Sequence, residues 1–204
     1  SYQDPIKKLL KLKEKTPFVL PSLTKDIATI QKLYSSLGYN FAKIETKIRT
    51  IDENNLDLMI EVERGNQTKI SSINFIGNKN IRSNRLKDII ASEENKFWQF
   101  ISKNTNFSNN LLELDKRLLE NYYKSIGFYD IQVSSNIAQI NNEGNADISY
   151  TINEGTRYRI NKISTNVDKV FDKEIFFSLN KVFNKYTDEN YSPFKEKEIL
   201  EQLD

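Results

Sequence analysis

In 204 residues the chain carries 30 basic and 28 acidic side chains, interspersed to a formal net charge of +2, so no broad positive field for nucleic acid is implied. At 38% hydrophobic and 28% charged it has the composition of a folded chain, and no apolar run exceeds three residues, far short of a membrane-spanning helix. It has no Cys and no His, which removes thiol chemistry, the commonest general base and the commonest metal ligand; any enzyme here would depend on carboxylates, Lys, Tyr or Ser.

Residues 1–15 read as a helix, with Pro5 in its first turn and Ile6, Leu9 and Leu10 on one face. The lysines around it suit either a solvated face or a membrane surface. Thr16 to Pro21 breaks this helix. Ser22 is the expected N-cap of a second, on which Leu23, Ile27, Ile30, Tyr34 and Leu37 keep the helical period until Gly38 stops it. Ala42, Ile44, Thr46 and Ile48 then alternate with Lys43, Glu45, Lys47 and Arg49, and Leu56, Leu58, Ile60 and Val62 alternate with Asp57, Met59, Glu61 and Glu63 beyond a turn at Asp52–Asn55. A β-hairpin packed on the preceding helices is predicted.

After Glu63-Arg64-Gly65 a strand runs from Lys69 to Ile76, with a bulge or bend expected between Ile70 and Ile73, and Gly77-Asn78 turns the chain. Ser83 or Asn84 can cap a helix bearing Leu86, Ile89 and Ile90. A long connection, 92–110, contains Phe97-Trp98-Gln99-Phe100-Ile101. The next helix places Leu111, Leu114, Leu118, Tyr122 and Ile126 on one face, widened by Leu112, Leu119 and Tyr123, and Gly127 stops it. Ile131 to Ile140 is a strand without a charge. After a turn at Asn141–Asn145, Ala146, Ile148, Tyr150 and Ile152 alternate into Glu154-Gly155. From Arg157 the pattern starts again, with Asp172 as a helix cap and a further helix after Tyr191-Ser192-Pro193-Phe194.

The chain is therefore a repeat array. Gly127 stands 89 positions after Gly38, Gly155 stands 90 after Gly65, and Ile160 and Ile163 stand 90 after Ile70 and Ile73. Three units follow: 1–66, which starts at a helix and lacks a first strand; 67–156, which is whole; and 157–204, which lacks its hairpin. The order in the whole unit is strand, helix, helix, strand, strand. An insertion of about nine residues separates its two helices, and Phe97-Trp98 lies in or beside it.

The aromatic-plus-Gly helix stop (Tyr34 to Tyr39, Tyr123 to Phe128), the Glu-Gly-like strand end and the following Ile70-x-x-Ile73-x-Phe75-x-Gly77-Asn78 resemble polypeptide-transport-associated (POTRA) domains, the periplasmic repeats of BamA-family outer-membrane assembly factors. The long aromatic connection is similar to that of the third repeat, which would make these units the second to the fourth. The resemblance implies an α+β fold of tandem β-α-α-β-β units, each a three-stranded sheet with two helices on one face and the strand after the Gly stop at the sheet edge. It implies no enzymatic activity and no cofactor or metal. It also implies, as partners, unfolded outer-membrane polypeptides and accessory lipoproteins, on the periplasmic side of the bacterial outer membrane, with a fused membrane barrel outside these residues.

An edge strand offers unpaired backbone groups to any extended segment, largely regardless of sequence. Lys43, Glu45, Lys47 and Arg49 discourage such pairing in the first unit. Ile131, Gln132, Val133, Ser134, Ser135, Asn136, Ile137 and Ala138 carry no charge, which makes this strand the candidate binding edge, with Gln132, Ser134, Asn136 and Ala138 facing away from the helices. A neighbouring domain covering that edge is the alternative. Phe97, Trp98 and Phe100 form either a partner-docking loop or local core over the helix pair. The POTRA arm of a secretion or translocation-assembly transporter is the alternative within the same class, although most of these carry fewer repeats or different neighbouring domains. An RNA-binding α/β module is the rival from another class, and it lacks both a Gly-x-x-Gly clamp and an aromatic-basic sheet face.

Overall fold

The structure, a computed structural model, describes residues 3–95, 104–140, 144–164 and 177–202, with the backbone alone at 3–5, 136–140 and 177–179. Two compact units result, one of residues 1–72, 92–112 and 139–147, the other of 73–91, 113–138 and 148–204.

In the first unit, α1 spans Gln3–Leu9 and α2 spans Leu20–Ser36. The first helix is shorter than its apolar spacing predicts, for a reason that lies in another element. Asp26, buried on α2, accepts the backbone N–H groups of Lys11 and Leu12 at 2.7 and 2.9 Å, so these amides serve the carboxylate and not a further helical turn. Ser22 is not the cap. Val19 is, and Pro21 lies inside the first turn, where its missing N–H has no helical partner to lose.

Strands β1 (Lys43–Thr50) and β2 (Leu56–Glu63) form the expected hairpin, in a register that pairs Lys43 with Glu63 and Thr50 with Leu56. The turn is fixed by Asp52, whose Oδ1 accepts the N–H groups of Asn54 and Asn55. On the outer face Lys47 bonds Glu61 at 2.7 Å. The inner face is not packed as predicted: Ile44, Leu58, Ile60 and Val62 are half-buried, and Ile48 and Leu56, nearest the turn, are exposed. The hairpin forms a two-stranded sheet, and two strands alone bury little of either face.

Strand β3 (Ile70–Ile76) begins in this unit. Ile70 and Ile73 are both buried although three residues apart, and Ser71 and Ser72 both donate to Asp147 Oδ1 at 2.6 Å, so side chains do not alternate strictly here. Those two hydroxyls hold the Asp147 carboxyl below its ordinary range. The entry to β3 is anchored by backbone bonds: Thr68 N–H donates to Gly38 O (2.9 Å), Phe107 N–H to Thr68 O (2.8 Å) and Ile70 N–H to Thr105 O (2.8 Å).

The second unit holds the rest of β3, α3 (Ser83–Lys87), most of α4 (Asn109–Ser125), β4 (Gln132–Ile140), β5 (Ala146–Asn153), α5 (Phe177–Tyr186) and α6 (Pro193–Glu201). Helix α3 begins after Arg82 without a side-chain cap, so neither Ser83 nor Asn84 caps it. Asp172 lies outside the described residues. The sheet order is β3-β5-β4. Every other residue of β5, namely Ala146, Ile148, Tyr150 and Ile152, is buried, as its alternation predicts. The fold class is the expected one: α+β, in β-α-α-β-β order.

Helix α4 buries the predicted stripe with its centre shifted to the positions expected only to widen it. Leu112, Asp115, Leu119 and Tyr123 are the buried positions, while Leu111, Leu114, Leu118 and Tyr122 are half-buried. A carboxylate stands in the middle of the buried stripe. Asp115 accepts Ala91 N–H at 2.7 Å and Tyr150 O–H at 2.6 Å, tying the end of the α3 segment and the central strand to α4. On α2, Leu23, Asp26, Ile30 and Tyr34 occupy the same spacing 89 positions earlier.

Candidate functional site

What positions β4 is the end of α4. Phe128 N–H reaches back to Tyr123 O at 3.0 Å and Gly127 takes φ +104°, a left-handed conformation that a side chain would oppose. Phe128 is buried with its ring against the edge of Tyr123, centroids 5.6 Å apart. The chain then leaves α4 in a fixed direction, and β4 follows within a few residues.

Within the three-stranded sheet β4 is an outer strand, paired with β5 on one side. Ile131 and Val133 are buried, Gln132 and Ser134 exposed and Ser135 half-buried. The backbone of Asn136, Ile137 and Ala138 continues the strand; their side chains are outside the description, as are Phe97, Trp98 and Phe100 altogether. Just before β4, Tyr158 O–H donates to Asp130 Oδ2 at 2.6 Å and Tyr129 meets Tyr191 edge-on at 5.5 Å. The Asp130 carboxylate raises the Tyr158 phenol above its ordinary value.

A third buried carboxylate lies at this same end of the sheet, where Gly155 stands against Asp130. Glu154, at the close of β5, accepts Asn80 N–H (3.0 Å), Asn80 Nδ2 (2.6 Å) and Tyr123 O–H (3.0 Å). The β3–α3 turn, β5 and the last turn of α4 are thereby joined. The sequence offered Glu154 only as a strand end, and it offered Asp115 and Asp26 not at all. The signal that could have found the last two is their recurrence at the offset of the glycine stops.

The Tyr123 phenol is pushed up, first by burial and then by its bond to the Glu154 carboxylate. A folded value above the unfolded one near about 10 means that the contribution is complete below that pH and is lost as pH rises beyond it. Thermal melts between pH 8 and 11.5 should show stability falling above about pH 10, with Tyr123→Phe removing part of that fall. Parallel curves for the two chains would refute the assignment.

Among the described residues no group of three or more His, Cys, Asp or Glu is placed to hold a metal ion, and no helix is long and apolar enough to cross a membrane. The acidic side chains that are buried hold backbone and phenol groups of the fold itself.

A helix stopped by glycine, an outer strand launched from that stop and a strand end tied by a buried carboxylate, followed by the start of the same pattern, define a repeat of β-α-α-β-β modules. The chain belongs to the POTRA family, described as surface antigen variable number repeat, whose signature matches residues 2–65 and 68–155. Among its relatives are the outer membrane protein assembly factor BamA of Neorickettsia risticii, 27% identical over 164 residues and 80% of this chain, and that of Neisseria meningitidis serogroup B, 25% identical over 169 residues and 81% of this chain. This chain spans about a fifth of the length of these curated relatives, 22% and 21%. Among solved structures, BamA POTRA3-5 of Haemophilus influenzae is similar over 97% of this chain and 76% of that one, at 17% identity and a TM-score of 0.49.

Proposed function

We propose that this chain is part of a receiving arm on the periplasmic side of the bacterial outer membrane, a scaffold for the assembly and insertion of barrel proteins. Unfolded outer-membrane polypeptides add to β4 as a further strand, and accessory lipoproteins dock on the same modules. A membrane barrel belongs to the longer protein, outside residues 1–204. The repeats divide at 66 and 156, a division supported by the two spans, 2–65 and 68–155, over which the family signature matches.

The observation that carries this reading is the position of β4. It is the outer strand of its sheet, without charge from Ile131 to Ile140, and Gln132 and Ser134 are exposed. A client strand would gain backbone hydrogen bonds whatever its side chains, which suits a receiver of many different barrels. The charged outer face of β1 argues against the same use of the first hairpin. The relatives' printed names supply the class of client.

The test is crosslinking of an unfolded barrel peptide to the Ser134→Pro chain, together with a Gln132→Lys, Ser134→Lys chain that copies the charged edge of β1. Losing one or two backbone hydrogen bonds, about 1 kcal/mol each, should lower occupancy roughly five- to thirty-fold. If both folded variants crosslink as well as the parent, β4 is not the receiving edge.

A further inference from the structure

The glycine stops do more than end helices, because each touches the start of the next repeat. At the first junction Gly38 O accepts Thr68 N–H (2.9 Å), Thr68 O accepts Phe107 N–H (2.8 Å) and Ile70 N–H meets Thr105 O (2.8 Å), with Lys69 bridged to Asn106. At the second junction Gly127 O accepts Tyr158 N–H (2.8 Å), Tyr158 O accepts Tyr191 N–H (3.0 Å) and Ile160 N–H meets Glu189 O (2.9 Å), with Arg159 bridged to Asn190. The side chain just before is used alike: Gln67 Nε2 donates to Leu37 O and Arg157 Nε to Ile126 O, both at 2.9 Å.

Two sequence elements compose this pattern, and they lie far apart in the chain. One is the stop itself. The other is Asn106-Phe107-Ser108, repeated as Asn190-Tyr191-Ser192, which opens the second helix of the following repeat. The Asn lies directly over the glycine: a Cβ on Gly38 would come within 3.1 Å of Asn106 Cβ, and one on Gly127 within 3.2 Å of Asn190 Cβ and 3.0 Å of Tyr158 O. Both glycines also hold positive φ, +88° and +104°. Each is therefore required twice, by its backbone and by what sits on it.

We propose that glycine stop, entering segment and Asn-aromatic-Ser turn form one interlock used at both junctions, and that it fixes each repeat on the one before it. The bend between repeats is then set at Gly38 and Gly127 and not by the length of the connecting segments. This depends on where repeats join, not on what the arm receives, so a failure of strand addition at β4 leaves it standing.

Amide hydrogen exchange on the whole chain tests it. Thr68, Phe107, Tyr158 and Tyr191 should exchange about 100-fold or more slowly than in an unstructured chain, although they lie outside helices and strands. Exchange at unstructured rates beside protected Ile73 and Ile148 would overturn the interlock. In Gly127→Ala, Tyr158 and Tyr191 should lose at least about tenfold in protection while Thr68, Phe107, Ile73 and Ile148 keep theirs. Loss at all six together would overturn it too, since the glycine would then serve the fold as a whole. The chain has no Cys, so spin labels at Asn121→Cys and Lys197→Cys, both exposed positions, report the second junction directly. Their distance distribution should be narrow in the parent and at least about twice as wide with Gly127→Ala; equal widths would count against the proposal.

Discussion

Replacing Asp115 by alanine should destabilise the module around it by about 3 kcal/mol, because a buried phenol and a half-buried backbone N–H lose this acceptor at once and each such loss costs about 1–3 kcal/mol. The donors are Ala91 N–H and Tyr150 O–H, and both the carboxylate and the Tyr150 ring are fully buried. Asp115→Asn keeps one oxygen as acceptor and should cost about half as much. Urea denaturation followed by near-ultraviolet circular dichroism, which reads the packing of Tyr150, measures both. If the alanine variant loses less than about 1 kcal/mol, the carboxylate is not the tie we take it to be.

Gly77→Ala should be at least as costly. Gly77 has φ +87°, and a Cβ there would stand 2.2 Å from Ile152 O, a backbone atom of β5 that cannot swing aside. The left-handed conformation alone costs alanine about 1–2 kcal/mol, and the collision forces the ends of β3 and β5 apart. We expect a total of about 3 kcal/mol or more, a fall in Tm on the order of 15 °C for a module of this size. Gly144 is the control. It has φ +78° with nothing within 4 Å of its Cβ position, so Gly144→Ala should show only the backbone share. Equal losses at the two sites would mean that the approach of Gly77 to β5 carries no energy.

How far the sequence could be read depended on whether apolarity alone carried the information. The alternation of Ala146, Ile148, Tyr150 and Ile152 predicted β5 because every inward position is apolar. On α4 the same method chose the wrong centre for the stripe, since Asp115 occupies an inward position and a pattern of apolar residues steps around it. The buried carboxylates satisfy groups up to 74 positions away, as Glu154 does at Asn80, and no local rule reaches that far. The length of α1 failed for a related reason, its following amides being taken by Asp26. At α2 the reason is local: Pro21 reads as a breaker, yet it sits in the first turn of a helix that begins at Leu20.

For the candidate site, the outer position of β4 followed from the resemblance, and its lack of charge was plain in the sequence. The junctions were legible only in half. The glycines stood out, but Asn106 and Asn190 did not, because a polar residue at a turn has many uses and only the fold brings these two over their glycines.

The charge-free strand has a further consequence for the cell. Backbone pairing that ignores side chains does not distinguish a client from a second copy of the receiver, and segments without charge or proline are the ones that stack into cross-β assemblies. Most edge strands are kept safe by the charges that β4 lacks. In the proposed role of receiving edge, β4 would trade resistance to aggregation for breadth of clientele, and the safety of the chain would rest on being held apart from its copies and on seldom being idle.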